Sequence, residues 1–457
     1  MSQIKDSENF FIVNLLTKNA DILSKGEVEE MKDLTLALSK GEGIGTDVYS
    51  LSFGEGRGEV FETELLTEAI EKGYICDEIE EKKLFRNAYL DFIDSRDTDE
   101  IQIFFVTNYA CNFACSYCYQ DEYSYPNQQL TKDIIDSFFD YIKKEFPNRK
   151  KYLTIFGGEP LLDNPSQREM IQHIITRSND NNLDISFVTN GYTIVEYFDL
   201  LKTARIREIQ ITLDGTENVH NSRRFLKNGQ ATFNKIVAGI DLCLQNDIPV
   251  NLRFVADKEN IDNLPELARF AIEKAWTKSP NFKTQIGRNY ELHHCQQMTN
   301  NLFSRVSLYE KIYEIYLQNS SIIEFHKPAF FISKFLFENN SLPNPLFDSC
   351  PACKTEWAFD YTGKIYSCTA TVGKSDESLG TFYPEISRKD EIISQWQSRD
   401  ITEIKECKSC SVALACGGGC ASVAKNINGQ LNSPDCRPVK ELLEMGMSFY
   451  FEKVENV

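Results

Sequence analysis

The chain has 457 residues, 42% of them hydrophobic, with 14 cysteines and a formal net charge of −19. That length exceeds one ordinary hydrophobic core, and the acidic balance excludes the basic surface that non-specific nucleic-acid binding needs. No apolar run reaches the roughly 18 residues of a membrane helix, and residues 1–11 lack a basic stretch followed by an apolar one, so no membrane span and no secretory signal are expected and the chain is assigned to the cytoplasm.

In chain order, residues 1–98 are acidic and hold an apolar run at 10–16, a glycine-rich stretch at 41–58 and helical patterns at 62–72 and 80–93. Residues 99–290 alternate strand and helix. Apolar runs at 101–106, 152–156, 185–188, 209–213 and 250–255 read as buried strands, with a weaker sixth at 282–286. Helical periodicity fills the gaps, as at Ile134, Ile135, Phe138, Phe139 and Ile142. Repeated βα units predict an α/β fold with a parallel sheet and right-handed crossovers. Six units fall short of a closed eightfold barrel, so the expectation is a partial (β/α)6 barrel. Three domains are expected, at 1–98, 99–324 and 325–457, and the last is loop-rich with eight of the cysteines.

In a reducing cytosol, cysteines without a secretory signal are metal ligands or catalytic groups more often than disulfides. The sequence Cys111-Asn-Phe-Ala-Cys115-Ser-Tyr-Cys118 directly follows the first predicted strand, at the end of a barrel strand where active-site loops sit. Three thiolates on a short loop can hold one iron–sulfur cluster while leaving one iron open, since such clusters usually take four. A zinc site needs a fourth ligand, and none of the five histidines has ligand spacing to this loop.

This CxxxCxxC pattern, with Tyr117 before its last cysteine, resembles the signature of the radical SAM superfamily. Further motifs stand in family order at the predicted strand ends. Gly157-Gly158-Glu159-Pro160 resembles the GGEP motif, followed by Thr189-Asn190-Gly191 and Thr212-Leu213-Asp214-Gly215, while Arg253 and Asn260 flank the fifth strand. The resemblance implies that Cys111, Cys115 and Cys118 ligate a [4Fe–4S] cluster whose open iron chelates S-adenosylmethionine. Tyr117, Gly157, Gly158, Glu159, Pro160, Asn190 and Asp214 would contact that cofactor, with Glu159 accepting from its methionine ammonium. One electron then splits the cofactor into methionine and a 5′-deoxyadenosyl radical, which takes a hydrogen from substrate. An electron donor such as flavodoxin or ferredoxin is implied as well.

The C-terminal cysteines are Cys350, Cys353, Cys368, Cys407, Cys410, Cys416, Cys420 and Cys436. By spacing alone, eight thiols suit two all-cysteine zinc sites as well as two four-ligand clusters. Behind a radical SAM-like barrel the array resembles the SPASM domain of enzymes that modify peptides and proteins. That resemblance implies two auxiliary [4Fe–4S] clusters, three in all. Cys350, Cys353, Cys368 and Cys420 would hold the first, and Cys407, Cys410, Cys416 and Cys436 the second. Gly363 is expected at a hairpin turn between Phe359 and Tyr366 that brings Cys353 and Cys368 together. Cys76, Cys243 and Cys295 have no partner spacing and read as small apolar residues.

Residues 1–98 loosely resemble a small α+β, winged-helix-like peptide-recognition domain, which binds a leader peptide by strand addition; the alternative is a structural cap on the barrel. The whole pattern is similar to maturases of ribosomally made peptides, acting by thioether or other cross-link formation on a precursor peptide. A second reading is sulfatase maturation to formylglycine, against which stands Thr369, where such maturases carry an aspartate. A third is a non-catalytic zinc or electron-transfer protein. No single catalytic residue is assigned.

Overall fold

The computed structural model describes residues 1–39, 64–118, 128–288, 301–374 and 376–454; the glycine-rich stretch at 41–58 and Cys295 lie outside them. At the N-terminus β1 (Ser2–Gln3), β2 (Phe10–Asn14) and β3 (Asn19–Leu23) form an antiparallel sheet in that order. The apolar run at 10–16 is thus a strand that stops at Asn14, whose side chain accepts from the Leu16 N–H to make the turn. Three helices follow: α1 (Lys25–Ser39), α2 (Glu64–Glu71) and α3 (Glu78–Thr98). Asp77 caps α3 by accepting from the Ile79 and Glu80 amides.

Six parallel strands come next, paired in chain order: β4 (Ile101–Val106), β5 (Lys151–Phe156), β6 (Ile185–Thr189), β7 (Ile206–Thr212), β8 (Val250–Ala256) and β9 (Phe282–Arg288). They lie where the apolar runs put them, with β7 starting earlier, at Ile206. Parallel strands buried on both faces are apolar almost throughout, which is why β4 reads Ile-Gln-Ile-Phe-Phe-Val with five of six residues buried. Between β4 and β5, α4 (Lys132–Glu145) lays Ile134, Ile135, Phe138, Phe139 and Ile142 against the sheet, and Phe138 stacks on Phe105. Thr131 caps its start, and Lys143 and Lys144 sit in its last turn, where the helix dipole favours cations. Cys243 is buried on the helix Phe233–Gln245, with burial pushing its thiol up to about 12, as befits a small apolar residue. Cys76, by contrast, is exposed beside the start of α3.

The sheet does not end with the barrel. β10 (Glu356–Asp360) pairs in parallel with β4, from Glu356 opposite Gln102 to Asp360 opposite Val106. Then β11 (Lys364–Tyr366), β12 (Gly380–Thr381) and β13 (Ser387–Arg388) extend it to ten strands. An uncovered strand edge carries unpaired amides and carbonyls, and here the C-terminal part satisfies those of β4. Gly363 makes the β10–β11 turn with φ +85°, a left-handed backbone suited to glycine. The Cys353 amide, in consequence, donates to the Ser367 carbonyl. Among the described residues no helix is long and apolar enough to cross a membrane.

Candidate active site

The loop after β4 carries Cys111, Cys115 and Cys118, and a second stretch of chain clamps it. Residues 223–227 run alongside: the Ala114 amide donates to the Phe225 carbonyl (2.9 Å), Ser116 to Arg223 (3.1 Å) and Lys227 to Asn112 (3.0 Å), with Phe113 bridged to Leu226. Main chain, not thiol, therefore fixes the loop. Burial, with Glu159, Cys115 and Cys118 nearby, pushes the Cys111 thiol up to about 12. The Asn190 side-chain amide approaches the Cys111 sulfur at 3.9 Å and donates to Asn112 at 2.7 Å.

The glycines after β5 admit the same loop. The Gly158 amide donates to Asn108 and the Glu159 amide to Ala110, so the two strand-end segments lie side by side. A β-carbon on Gly158 would stand 2.2 Å from the Ala110 carbonyl oxygen, and one on Gly157 2.3 Å from that of Asn108. What these glycines let approach is the backbone leading into Cys111. Pro160 follows, its carbonyl accepting from Gln167.

Glu159 is fully buried, and its carboxylate is engaged within the protein. One oxygen accepts from the Leu161 amide (2.8 Å) and the Thr189 hydroxyl (2.7 Å), the other from the Asn190 amide (2.7 Å). It ties the end of β5 to the end of β6, and burial outweighs those bonds to push its carboxyl upward. Replacing it with glutamine puts an NH2 group among donors, so we expect apo-protein stability to fall by roughly 1.5–3 kcal/mol, the size of a lost charge-assisted hydrogen bond, in urea unfolding. A variant with an unchanged midpoint that has lost only S-adenosylmethionine affinity would return the side chain to an ammonium-binding role.

At the end of β7, Asp214 is fully buried and accepts from the Tyr117 hydroxyl at 2.5 Å and the Val255 amide at 3.2 Å. Tyr117 in turn accepts from Arg224 at 2.7 Å, and its ring lies 5.0 Å from the Arg223 guanidinium. Arg223 also pairs with Asp257 through two nitrogens, at 3.0 and 2.8 Å. Although burial opposes its charge, Cys115, Tyr117 and Asp214 hold Arg224 protonated. Neither arginine was expected from the sequence; the signal available was the adjacent pair just beyond Asp214-Gly215 in an acidic chain. Cys111, Cys115, Tyr117, Glu159, Asn190 and Asp214 thus meet at the carboxyl ends of β4 to β7.

The C-terminal cysteines are unbridged thiols that fall into two neighbourhoods. Burial pushes Cys350 up to about 11, with Asp348 and Cys420 adding to it. Cys368 is driven well above the thiol range by burial, then by Glu356, Cys350 and Cys420, and Cys353, also raised by burial, feels Cys350. Cys407 is pushed up to about 11 by burial, then by Cys416, Cys410 and Cys436. Ionised thiols gathered this closely repel one another, and a soft cationic group is what such a donor set suits. Beneath both neighbourhoods lies Arg399, fully buried, donating to Asp348, Gly418, Gly419, Leu431 and Ser433.

Residues 105–271 match the radical SAM superfamily model. GTP 3′,8-cyclase of Microcystis aeruginosa is 30% identical over 172 residues, 36% of this chain and 51% of that protein, so the chain spans about half the length of the first curated relatives it matches. A cysteine-type anaerobic sulfatase-maturating enzyme of Clostridium novyi is 24% identical over 365 residues, 74% of this chain and 92% of the relative. Among solved structures, anSMEcpe with bound AdoMet covers 78% of this chain and 98% of its own at 16% identity and a TM-score of 0.59. Streptococcus suis SuiB bound to precursor peptide SuiA covers 96% and 99% at 13% identity and a TM-score of 0.53. Radical SAM domains work with a [4Fe–4S] cluster and S-adenosylmethionine. Matched in sequence at 105–271 and in fold over most of its length, this chain carries a radical SAM domain.

Proposed function

We propose that the chain is a peptide maturase with three [4Fe–4S] clusters, which engages a ribosomally made precursor through residues 1–98 and cross-links it at the barrel mouth. Cys111, Cys115 and Cys118 would hold the cluster that, when bound and reduced, supplies the electron splitting S-adenosylmethionine. The chain's own residues do the rest. The clamp at 223–227 fixes the cysteine loop. Arg224 sets a positive charge beside Cys115, and Tyr117 links that loop to Asp214. Among the described residues the buried Nε atoms of Arg224 and Arg253 have no hydrogen-bond partner, nor has the buried Oδ1 of Asn108; donors and an acceptor left open in this way suit the carboxylate and ammonium of an amino-acid moiety.

Cys350, Cys353, Cys368 and Cys420 would hold the first auxiliary cluster, and Cys407, Cys410, Cys416 and Cys436 the second.

The observation that carries the peptide reading is the folded N-terminal sheet, whose β3 is paired on one side, with β2, among the described residues. Such an edge is what a leader peptide adds to. The shared fold supports it: SuiB covers 96% of the chain and anSMEcpe 78%. Thr369 following Cys368 tells against formylglycine formation, although the Clostridium novyi relative keeps that reading alive.

Anaerobic reconstitution should load about twelve irons per chain, four per cluster. With S-adenosylmethionine, a strong reductant and a candidate precursor peptide, the expected products are deoxyadenosine and a peptide lighter by a pair of hydrogens that keeps any cysteine sulfur and carries no new aldehyde. A new aldehyde, formed from serine by loss of two hydrogens or from cysteine with loss of its sulfur, would favour formylglycine formation. Zinc alone, with no deoxyadenosine, would overturn the enzyme reading.

A further inference from the structure

Residues 1–98 do not hang free of the cysteine array. Ile4 and Phe11, 1% and 3% exposed, share an apolar cluster with Cys416, Ala415, Leu443 and Met447. On another side, Tyr89 and Phe92 of α3 share one with Cys407, Phe347 and Ile404. The rings of Phe85, Tyr89 and Phe92 stand 5.1, 5.1 and 5.5 Å from that of Phe347, which is fully buried. The Tyr89 hydroxyl donates to Asp400 at 3.0 Å. Main chain joins in, with the Lys5 amide on the Glu444 carbonyl and the Leu342 amide on that of Lys18. Two members of the second cysteine group are therefore packed against residues of the N-terminal segment, Cys416 against the hairpin and Cys407 against α3. For its part, α3 buries none of its 21 residues fully. Helices draw most of their stability from tertiary packing, and the packing offered to α3 is this surface.

We propose that the N-terminal segment and the second cysteine group are thermodynamically coupled. A cluster on Cys407, Cys410, Cys416 and Cys436 holds the N-terminal sheet and α3 in place, and whatever binds them acts back on the cluster. This rests on the reading above that these four thiols carry a cluster. Coupling is reciprocal by necessity: if cluster loss loosens α3, then loosening α3 must weaken the cluster. Leader binding at the N-terminal sheet would thereby reach a redox centre without touching it.

The test is amide hydrogen exchange on the full chain, with iron counted and cluster spectra recorded on the same samples. Cys436→Ala should speed exchange across residues 78–98 by about tenfold or more, the equivalent of roughly 1.4 kcal/mol of local stability, while Cys368→Ala should leave that segment alone. Conversely, Phe92→Ala should strip the second cluster's signal and spare the first. Wild-type protein measured before and after reconstitution gives the same comparison without a substitution. Exchange at 78–98 that stays the same once the second cluster is gone, or between apo and reconstituted wild type, overturns the coupling. Iron that never reaches the C-terminal cysteines of the wild type overturns the cluster reading itself, and is told apart by the iron count.

Discussion

Replacing Cys111, Cys115 and Cys118 together with alanine should abolish deoxyadenosine formation while leaving iron on the C-terminal cysteines. The three proposed ligands stand on one loop, and that loop holds no further cysteine. The fold should survive the change, because the loop is held by main-chain bonds to residues 223–227 and by the Gly158 and Glu159 amides on the segment before it. The iron content should drop from about twelve to about eight per chain, one cluster of four. The thermal midpoint of the apo protein should move little. Anaerobic iron analysis and chromatography of the products measure both effects. Deoxyadenosine from the triple variant would sink the assignment, and so would iron lost from the C-terminal groups in step.

The second large effect is expected at Arg399. Its guanidinium donates to Asp348 (2.9 Å), Gly418 (2.8 Å), Gly419 (3.3 Å) and Ser433 (3.0 Å), and its Nε to Leu431 (2.8 Å). These acceptors are loop residues beside both cysteine groups: Asp348 precedes Cys350, Gly418 and Gly419 separate Cys416 from Cys420, and Ser433 precedes Cys436. Burial pushes the Asp348 carboxyl up against the pull of Lys354 and Arg399. Arg399→Met leaves Asp348 to Lys354 and the Cys350 amide and takes a donor from four carbonyls, of which Gly418 keeps the Asp435 amide, and breaking such a buried pair costs about 3–5 kcal/mol. Lysine should not rescue it, since one ammonium cannot span the fork's acceptors. Both auxiliary clusters should fail together, while the Cys111 loop still takes iron. A variant that keeps both, with an unchanged unfolding midpoint, would refute this account.

The barrel strands were legible because burial on both faces writes a continuous apolar run into each, a local signal. The turn at Gly363 was legible for the same reason. The β4–β10 pairing was not, for Glu356-Trp-Ala-Phe-Asp360 says that a strand exists but not which edge, some 250 residues away, it will complete. Nor was the clamp at 223–227, where irregular chain pairs with irregular chain. Glu159 shows a subtler limit. The motif marks the residue, and a carboxylate can serve a ligand or three buried donors; only the positions of Leu161, Thr189 and Asn190 show where its bonds go. Arg399 looked like any charged residue on a loop-rich surface until burial made it a hub.

The join between β4 and β10 bears on how proteins of this build can be recombined. A graft that cuts between barrel and C-terminal part, at about residue 324, severs no strand in the chain yet divides a sheet in space. Residues 356–360 would then have to find the edge of a foreign first strand, in register from Gln102 to Val106, with the buried Asp360 again meeting a tyrosine such as Tyr109, whose hydroxyl it accepts at 2.8 Å. A chimera that exchanges the C-terminal half alone should therefore be limited by its seam. One that carries β4 and residues 107–110 along with its own β10 keeps the seam native.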